Sequence, residues 1–277
     1  MPRERRRKMK KAISAVCFAD LLFLLLLSLG AYVPKELSLP ATVAAYIIPS
    51  AAALIIWKLS AEKIAMPRFI PKAKDLALSL PYLAPFIGIV FIISFLTSLL
   101  LGLFGHSNTT DLSGNIWLMI LKHAAIPAIL EELLFRLVPI ALIAPYSKKN
   151  ALFFSAIAFA LLHCNFFQIP YAFFAGLVFA ALDIAAGSIY PSLILHFINN
   201  LIAIFFARNG ADPIFSAVLF SSLALCSAIS LVLIFIKRNA CKKSFSEIFC
   251  DECKLSFTFP AVILSICAIF LAALNLL

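Results

Sequence analysis

Long apolar stretches separated by short polar segments make up most of the 277-residue chain. Each stretch is about 17 to 30 residues long, enough for a helix rising about 1.5 Å per residue to cross a hydrocarbon core of roughly 30 Å. Barrel strands are excluded because they alternate polar and apolar residues over about ten positions. We therefore predict an all-α polytopic bundle with transmembrane spans at residues 12–33, 41–57, 76–104, 114–145, 151–168, 171–187, 188–206, 214–236 and 256–277.

Eight spans instead of nine is the alternative, if two of the short central segments merge or re-enter the membrane. Composition supports a membrane protein, with 64% hydrophobic residues, 13% charged residues and a mean hydropathy of +1.06. Soluble domains are about half apolar and a quarter charged. No internal repeat or long polar linker divides the chain, so residues 1–277 are predicted to form a single integral membrane domain in the lipid bilayer.

The net charge of +10 comes from basic residues in short loops, so it indicates topology and no nucleic-acid partner. Lys and Arg concentrate in the first eleven residues and in loops 58–75, 146–150 and 237–255, while loops 105–113 and 165–170 contain neither. The positive-inside rule then places the N-terminus in the cytoplasm. The expected location is the plasma membrane in a prokaryote, or the endoplasmic reticulum membrane in a eukaryote.

Three cysteines, Cys241, Cys250 and Cys253, share the basic loop 237–255. The last two form a CxxC pair that would suit a zinc ion together with Cys241. A single CxxC without a second pair is weak evidence for such a site. The role of these three residues is therefore left open by the sequence.

A few ionisable residues lie within the apolar stretch 114–145, where each costs about 2.5–3.5 kcal/mol at mid-helix. Glu131 and Glu132 are adjacent, so they diverge by about 100° on a helix and are expected to have different roles. Arg136 follows Glu132 by four residues, which favours an ion pair on one face. Glu131 then has no local counter-charge and is suited to accept a proton as a general base.

Two further polar positions have the same four-residue spacing on other predicted helices. His163 follows Phe159, and Asn200 follows His196, so each pair shares a helix face. A carboxylate, two imidazoles and a carboxamide are sufficient to activate a water molecule and to donate hydrogen bonds to an oxyanion. The structural alternative is that Glu131, Glu132 and Arg136 are only a buried ion-pair cluster that fixes helix register. Prolines in the same span, Pro127, Pro139 and Pro145, are expected to kink it and to free backbone carbonyls.

These residues form three motifs: EExxxR at Glu131–Arg136, FxxxH at Phe159–His163 and HxxxN at His196–Asn200. Their order and spacing resemble the CPBP family, which includes the type II CAAX prenyl endopeptidases and bacterial Abi-type membrane proteins. The similar region, about residues 114–206, is the expected catalytic core.

The resemblance implies that Glu131 and His163 hold and deprotonate the attacking water, while His196 and Asn200 stabilise the oxyanion. Glu132 and Arg136 would be a supporting pair. No cofactor is certain. Zinc is the alternative, with Glu131, His163 and His196 as its ligands, although the sequence has no HExxH motif.

The function predicted from these motifs is intramembrane endopeptidase activity on a peptide or protein substrate, with a prenylated protein as one candidate. The alternatives are a non-catalytic membrane scaffold or immunity protein and a proton-coupled transporter. A transporter is expected to show inverted-repeat hydropathy with paired broken helices, and the sequence has no such symmetry.

Overall fold

The computed structural model describes residues 2–30, 32–60, 62, 64–68, 70–107, 114–236, 238–239, 245–246, 248 and 254–276. In this part of the chain the secondary structure is helical, without a strand, which confirms the all-α prediction. Cys241, Cys250 and Cys253 lie outside the described residues, and zinc binding there stays a prediction.

Nine helical stretches within the described residues correspond to the nine predicted spans. They are α1 Arg3–Gly30, α2 Ser38–Leu59, α3 Ala73–Leu103, α4 116–143, α5 Lys148–Leu161, α6 Ile169–Ala186, α7 Tyr190–Asn209, α8 Pro213–Ile236 and α9 Phe259–Leu274. Six of them, α1, α2, α3, α6, α7 and α8, are long and apolar enough to cross a membrane. The chain is therefore an integral membrane protein. Of the other three, α5 and α9 are shorter and α4 is interrupted.

Two π-helical turns, Leu121–Ala125 and Leu133–Leu137, interrupt α4. Each ends two residues before a proline, Pro127 or Pro139. A proline has no N–H to donate, and its ring crowds the carbonyl four residues earlier. The hydrogen bonds of the turn therefore span five residues instead of four, which makes the turn π-helical. The carbonyl of Phe135, four residues before Pro139, accepts hydrogen bonds from Nη1 of Arg136 (3.0 Å) and from the Ser155 hydroxyl. This carbonyl therefore binds side chains of both α4 and α5, and whether Pro139 frees it from a helical hydrogen bond stays a prediction.

A tight ion-pair cluster joins the α2–α3 connection to the turn between α6 and α7. Arg68 Nη2 donates to Asp75 Oδ1 (2.7 Å) and to the carbonyl of Ala186 (3.0 Å), and Ser188 Oγ donates to Asp75 Oδ2 (3.3 Å). Gly187 in this turn has φ +63°, the left-handed conformation that glycine adopts without strain. The cluster therefore fixes the turn from which α7 begins.

Helices α5 and α6 approach so closely at Gly176 that only glycine fits. A Cβ atom there would lie 2.7 Å from Cα of Ala156. Small residues at a crossing allow two membrane helices to pack backbone to backbone. The close approach brings Phe159 of α5 and Phe179 of α6 together, with ring centroids 6.2 Å apart.

Gly176→Ala is therefore expected to destabilise the protein by about 1–3 kcal/mol, because the added methyl group forces α5 and α6 apart. Thermal unfolding of the detergent-purified protein measures the effect. Gly88→Ala in α3 is the matched control, since its Cβ would lie 3.9 Å from Ser227 Oγ, an ordinary contact. Equal unfolding temperatures for the two variants would contradict the close packing.

Candidate active site

The imidazole of His196 on α7 lies between the two adjacent carboxylates of α4. Its Nδ1 is 2.8 Å from Oε1 of Glu132, and its Nε2 is 3.6 Å from Oε2 of Glu131. Because an ionised carboxylate only accepts hydrogen bonds, Nδ1 of His196 is the donor to Glu132. The two carboxylates diverge, as predicted, but both contact the His196 ring, because its two nitrogens lie on different edges of the imidazole.

The predicted ion pair between Glu132 and Arg136 is present and fully buried. Nε of Arg136 is 3.4 Å from Oε2 of Glu132, and neither side chain is exposed. The guanidinium also lies over the ring of Phe159, 4.4 Å from its centroid, and 5.4 Å from the centroid of Phe179. Cation–π contacts and the carboxylate offset part of the cost of removing this charge from water, while Nε and Nη2 of Arg136 make no hydrogen bond within the described residues.

Glu131 is the more accessible carboxylate, with 15% of its side chain exposed, against none for Glu132. Tyr46 of α2 donates a hydrogen bond from its hydroxyl to Oε1 of Glu131 (3.3 Å). The Tyr46 ring packs on Phe23 of α1, with centroids 4.5 Å apart. Sequence reasoning missed Tyr46, because it lies 85 residues before Glu131 and its only signal is a phenol within an apolar span.

His163 lies in a turn, not on the predicted helix 151–168. Helix α5 ends at Leu161, and Cys164 has φ +47°, a left-handed conformation with which a right-handed helix cannot continue. Nδ1 of His163 is 2.6 Å from the carbonyl of Phe159, an obligatory acceptor, so Nδ1 donates and Nε2 of the neutral ring is an acceptor.

The ring of Phe159 contacts both imidazoles. Its ring centroid is 4.8 Å from that of His163 and 5.5 Å from that of His196, both in T-shaped geometry. His163 also interacts electrostatically with Glu131 and His196. The second histidine therefore lies beside the Glu131–His196 pair without a direct hydrogen bond to it within the described residues.

Asn200 is one helical turn after His196 on α7. Its Oδ1 accepts a hydrogen bond from Nδ2 of Asn199 (3.4 Å), which directs the acceptor of the amide to its neighbour and leaves the NH₂ group to act as a donor. Among the described residues, no hydrogen bond joins Asn200 to Glu131, His163 or His196. The oxyanion role of Asn200 stays a prediction.

Asp183, at the end of α6, holds the beginning of α7. Its carboxylate is fully buried and accepts from the backbone N–H of Ser192 (3.0 Å) and from the Ser192 hydroxyl (2.6 Å). The carboxylate thereby caps a first-turn N–H of α7 from the preceding helix, since the N-cap residue Ile189 makes no side-chain cap hydrogen bond. This capping fixes the register of α7 one turn before His196.

The described residues contain no group of three or more His, Cys, Asp or Glu side chains arranged to hold a metal ion. Glu131, His163 and His196, the predicted zinc ligands, therefore do not form a ligand set in this arrangement. Zinc dependence stays a prediction from the sequence.

A helical bundle with a buried cluster of carboxylates, imidazoles and a guanidinium defines a polytopic membrane protein with a polar centre suited to acid–base chemistry. Residues 113–202, about a third of the chain, match the family model for type II CAAX prenyl endopeptidase Rce1-like proteins. The resemblance to CPBP-family proteases is thereby confirmed, and the match includes all six predicted site residues. No curated protein and no solved structure matches the chain.

Proposed function

We propose that the protein is an intramembrane endopeptidase in which Glu131 takes a proton from a water molecule that attacks a peptide carbonyl. The observation that carries this proposal is the position of His196 between Glu131 and Glu132. Of the two carboxylates, Glu132 is buried in contact with Arg136 and His196. Glu131 is partly exposed, so water and substrate can reach it.

Glu131 and His163 are assigned to the attacking water. A water molecule donates two hydrogen bonds, and this pair supplies two acceptors, a carboxylate oxygen and Nε2 of the neutral His163 ring. A water bound in this way directs an oxygen lone pair toward the substrate carbon. Glu131 accepts the proton as the new C–O bond forms, and it returns the proton to the amine nitrogen as the C–N bond breaks.

His196 and Asn200 are assigned to the oxyanion. In its protonated form His196 donates through Nδ1 to Glu132 and through Nε2 to the negative oxygen that develops in the transition state. The NH₂ group of Asn200, on the same helix, is the second donor. Donors fixed in place in a site of low dielectric contribute strongly because they need no reorganisation during the reaction.

The substrate is proposed to be a peptide segment of a membrane-associated protein, since the site is built from helices that cross or line the bilayer. A prenylated protein is one member of this class. Comparative proteomics of membrane extracts from wild-type and Glu131→Gln cells tests the proposal. We expect at least one peptide that is cut in the wild type alone.

Glu36→Gln is the matched control for this experiment, because it removes an exposed carboxylate remote from the site. Identical peptide profiles in all three strains, with equal amounts of each protein in the membrane, would contradict the protease proposal and favour the scaffold or transporter alternatives. Loss of cleavage on chelation, with recovery on adding zinc, would instead establish the metal-dependent alternative.

Tyr46→Phe is expected to lower kcat by about 10- to 150-fold, because one hydrogen bond to a charged group, worth about 1.5–3 kcal/mol, no longer positions Glu131. KM is expected to stay the same, since Tyr46 is assigned no substrate contact. The measurement is steady-state hydrolysis of the peptide identified above, with the exposed Tyr32→Phe as control. Equal kcat values for both variants would contradict a positioning role.

A further inference from the structure

A groove of about 840 Å³ lies between α1, α2 and the residues that lead into α9. We name it the basic groove. Its mouth is lined by Arg7, Lys10 and Lys11 of α1. Its body is apolar and includes Phe18, Leu22 and Pro49. The groove thus combines a cationic end with an apolar channel.

The apolar part is long enough for a hydrocarbon chain. From Lys11 to Leu22 the groove follows α1 for eleven residues, which is about 16 Å at 1.5 Å per residue. Along α2 it extends from Ser60 at the mouth to Pro49, a comparable length. A lipid acyl chain could therefore lie along the helices with its polar end at the mouth.

The cations at the mouth lack protein partners of opposite charge within the described residues. Lys8, in the same turn of α1, is paired with Glu4 (3.5 Å) and Glu62 (3.3 Å). No such ion pair forms between Arg7, Lys10 or Lys11 and a described carboxylate. The mouth therefore has three positive charges available to an anion.

A second, independent observation is the hydroxyl of Thr258. Its Oγ1 is buried and makes no hydrogen bond within the described residues, and Thr258 is one of the residues that line the groove. A buried hydroxyl without a partner costs free energy unless a ligand or water satisfies it. After rotation of the side chain toward the groove, this hydroxyl would donate to a phosphate oxygen.

We propose that the basic groove binds an anionic phospholipid, with the phosphate held by Arg7, Lys10, Lys11 and Thr258 and one acyl chain in the apolar body. Basic pockets between transmembrane helices bind anionic headgroups in this way. The positive-inside rule directs this end of α1 to the cytoplasmic leaflet, whose surface is negative. The proposal is independent of the protease activity.

The lipid site shares α2 with the candidate active site. Pro49 lines the groove, and Tyr46, one turn earlier on α2, donates to Glu131. A bound acyl chain would therefore brace the helix that positions the carboxylate. The groove itself contains none of the residues assigned to catalysis.

Native mass spectrometry of the full chain in detergent, titrated with dioleoyl phosphatidylglycerol or dioleoyl phosphatidylcholine, tests the proposal. The wild type is expected to retain phosphatidylglycerol preferentially. Replacing Arg7, Lys10 and Lys11 by Gln is expected to weaken its binding on the order of 100-fold, from about 1 kcal/mol per basic residue. The control triple variant, with Gln at Arg3, Arg6 and Lys74, removes the same charge outside the groove and should change binding less than about threefold.

A steric variant separates the groove from general surface charge. Ala52 lines the groove, whereas its neighbour Ala51 is exposed outside it. Ala52→Phe should displace the lipid while Ala51→Phe retains it. Equal binding of both phospholipids, equal losses in the two triple variants, or full competition by glycerol phosphate without acyl chains would each overturn the proposal. Preferential displacement of the phospholipid by an uncharged prenylated peptide would overturn it in favour of a substrate groove.

Discussion

Glu131→Gln is expected to reduce kcat for peptide hydrolysis by about 10²- to 10⁴-fold, the range that a general base contributes. The amide has nearly the same shape as the carboxylate and can still accept the hydrogen bond from Tyr46, but it cannot take a proton from water. KM should change little, because Glu131 is proposed to bind the water and not the substrate. Steady-state hydrolysis of the identified peptide by purified protein gives both constants.

Two controls distinguish loss of catalysis from loss of structure. The thermal unfolding temperature of Glu131→Gln should remain close to the wild-type value, because Glu131 is partly exposed and makes no buried ion pair with Arg136. Glu131→Asp should retain some activity, since it keeps a base that is displaced by one methylene group. Wild-type kcat in Glu131→Gln would remove Glu131 from the mechanism.

The local contacts of the site follow from sequence spacing, and the long-range contacts do not. The interval of four residues was enough to predict the pair of Glu132 with Arg136, because helix geometry alone places them together. The meeting of His196 with both carboxylates depends on how α4 and α7 pack, 64 residues apart for the Glu132 contact. No periodicity within either helix encodes that arrangement.

Helix boundaries show the same division between local and tertiary causes. Pro127 and Pro139 predicted an irregular α4, and the π turns lie directly before them. The end of α5 at Leu161 was not predicted, because apolar residues still occur among polar ones from Leu162 to Phe167 and the left-handed residue is Cys164, not glycine. Tertiary contacts hold this turn, among them the hydrogen bond from Asn275 to the Cys164 carbonyl.

The structure distinguishes two groups of basic residues on α1 that the charge pattern of the sequence cannot distinguish. Positive residues at the start of α1 indicate topology whether or not they bind anything. Lys8 forms ion pairs with two carboxylates. Three other basic residues, Arg7, Lys10 and Lys11, line the basic groove instead. Topology and lipid recognition can therefore use the same segment of the chain through different side chains.

Arg136→Met is expected to lower the free energy of unfolding by about 3–5 kcal/mol, the usual effect of removing one partner from a buried ion pair. Methionine fills similar space beneath Phe159 but leaves the fully buried Glu132 without its cation. Thermal and chemical unfolding in detergent measure the loss. Lys122→Met, which removes an exposed cation from the same helix, is the matched control and should change stability by less than about 0.5 kcal/mol.

The double variant Glu132→Gln/Arg136→Met tests the cause. If the uncompensated carboxylate is responsible, neutralising it should restore much of the stability that Arg136→Met loses, because Gln still accepts the hydrogen bond from Nδ1 of His196. The two substitutions would then be strongly non-additive, as expected for residues in direct contact. Additive losses would show that Arg136 stabilises the bundle mainly through Phe159, Phe179 and the carbonyl of Phe135, and not through the charge of Glu132.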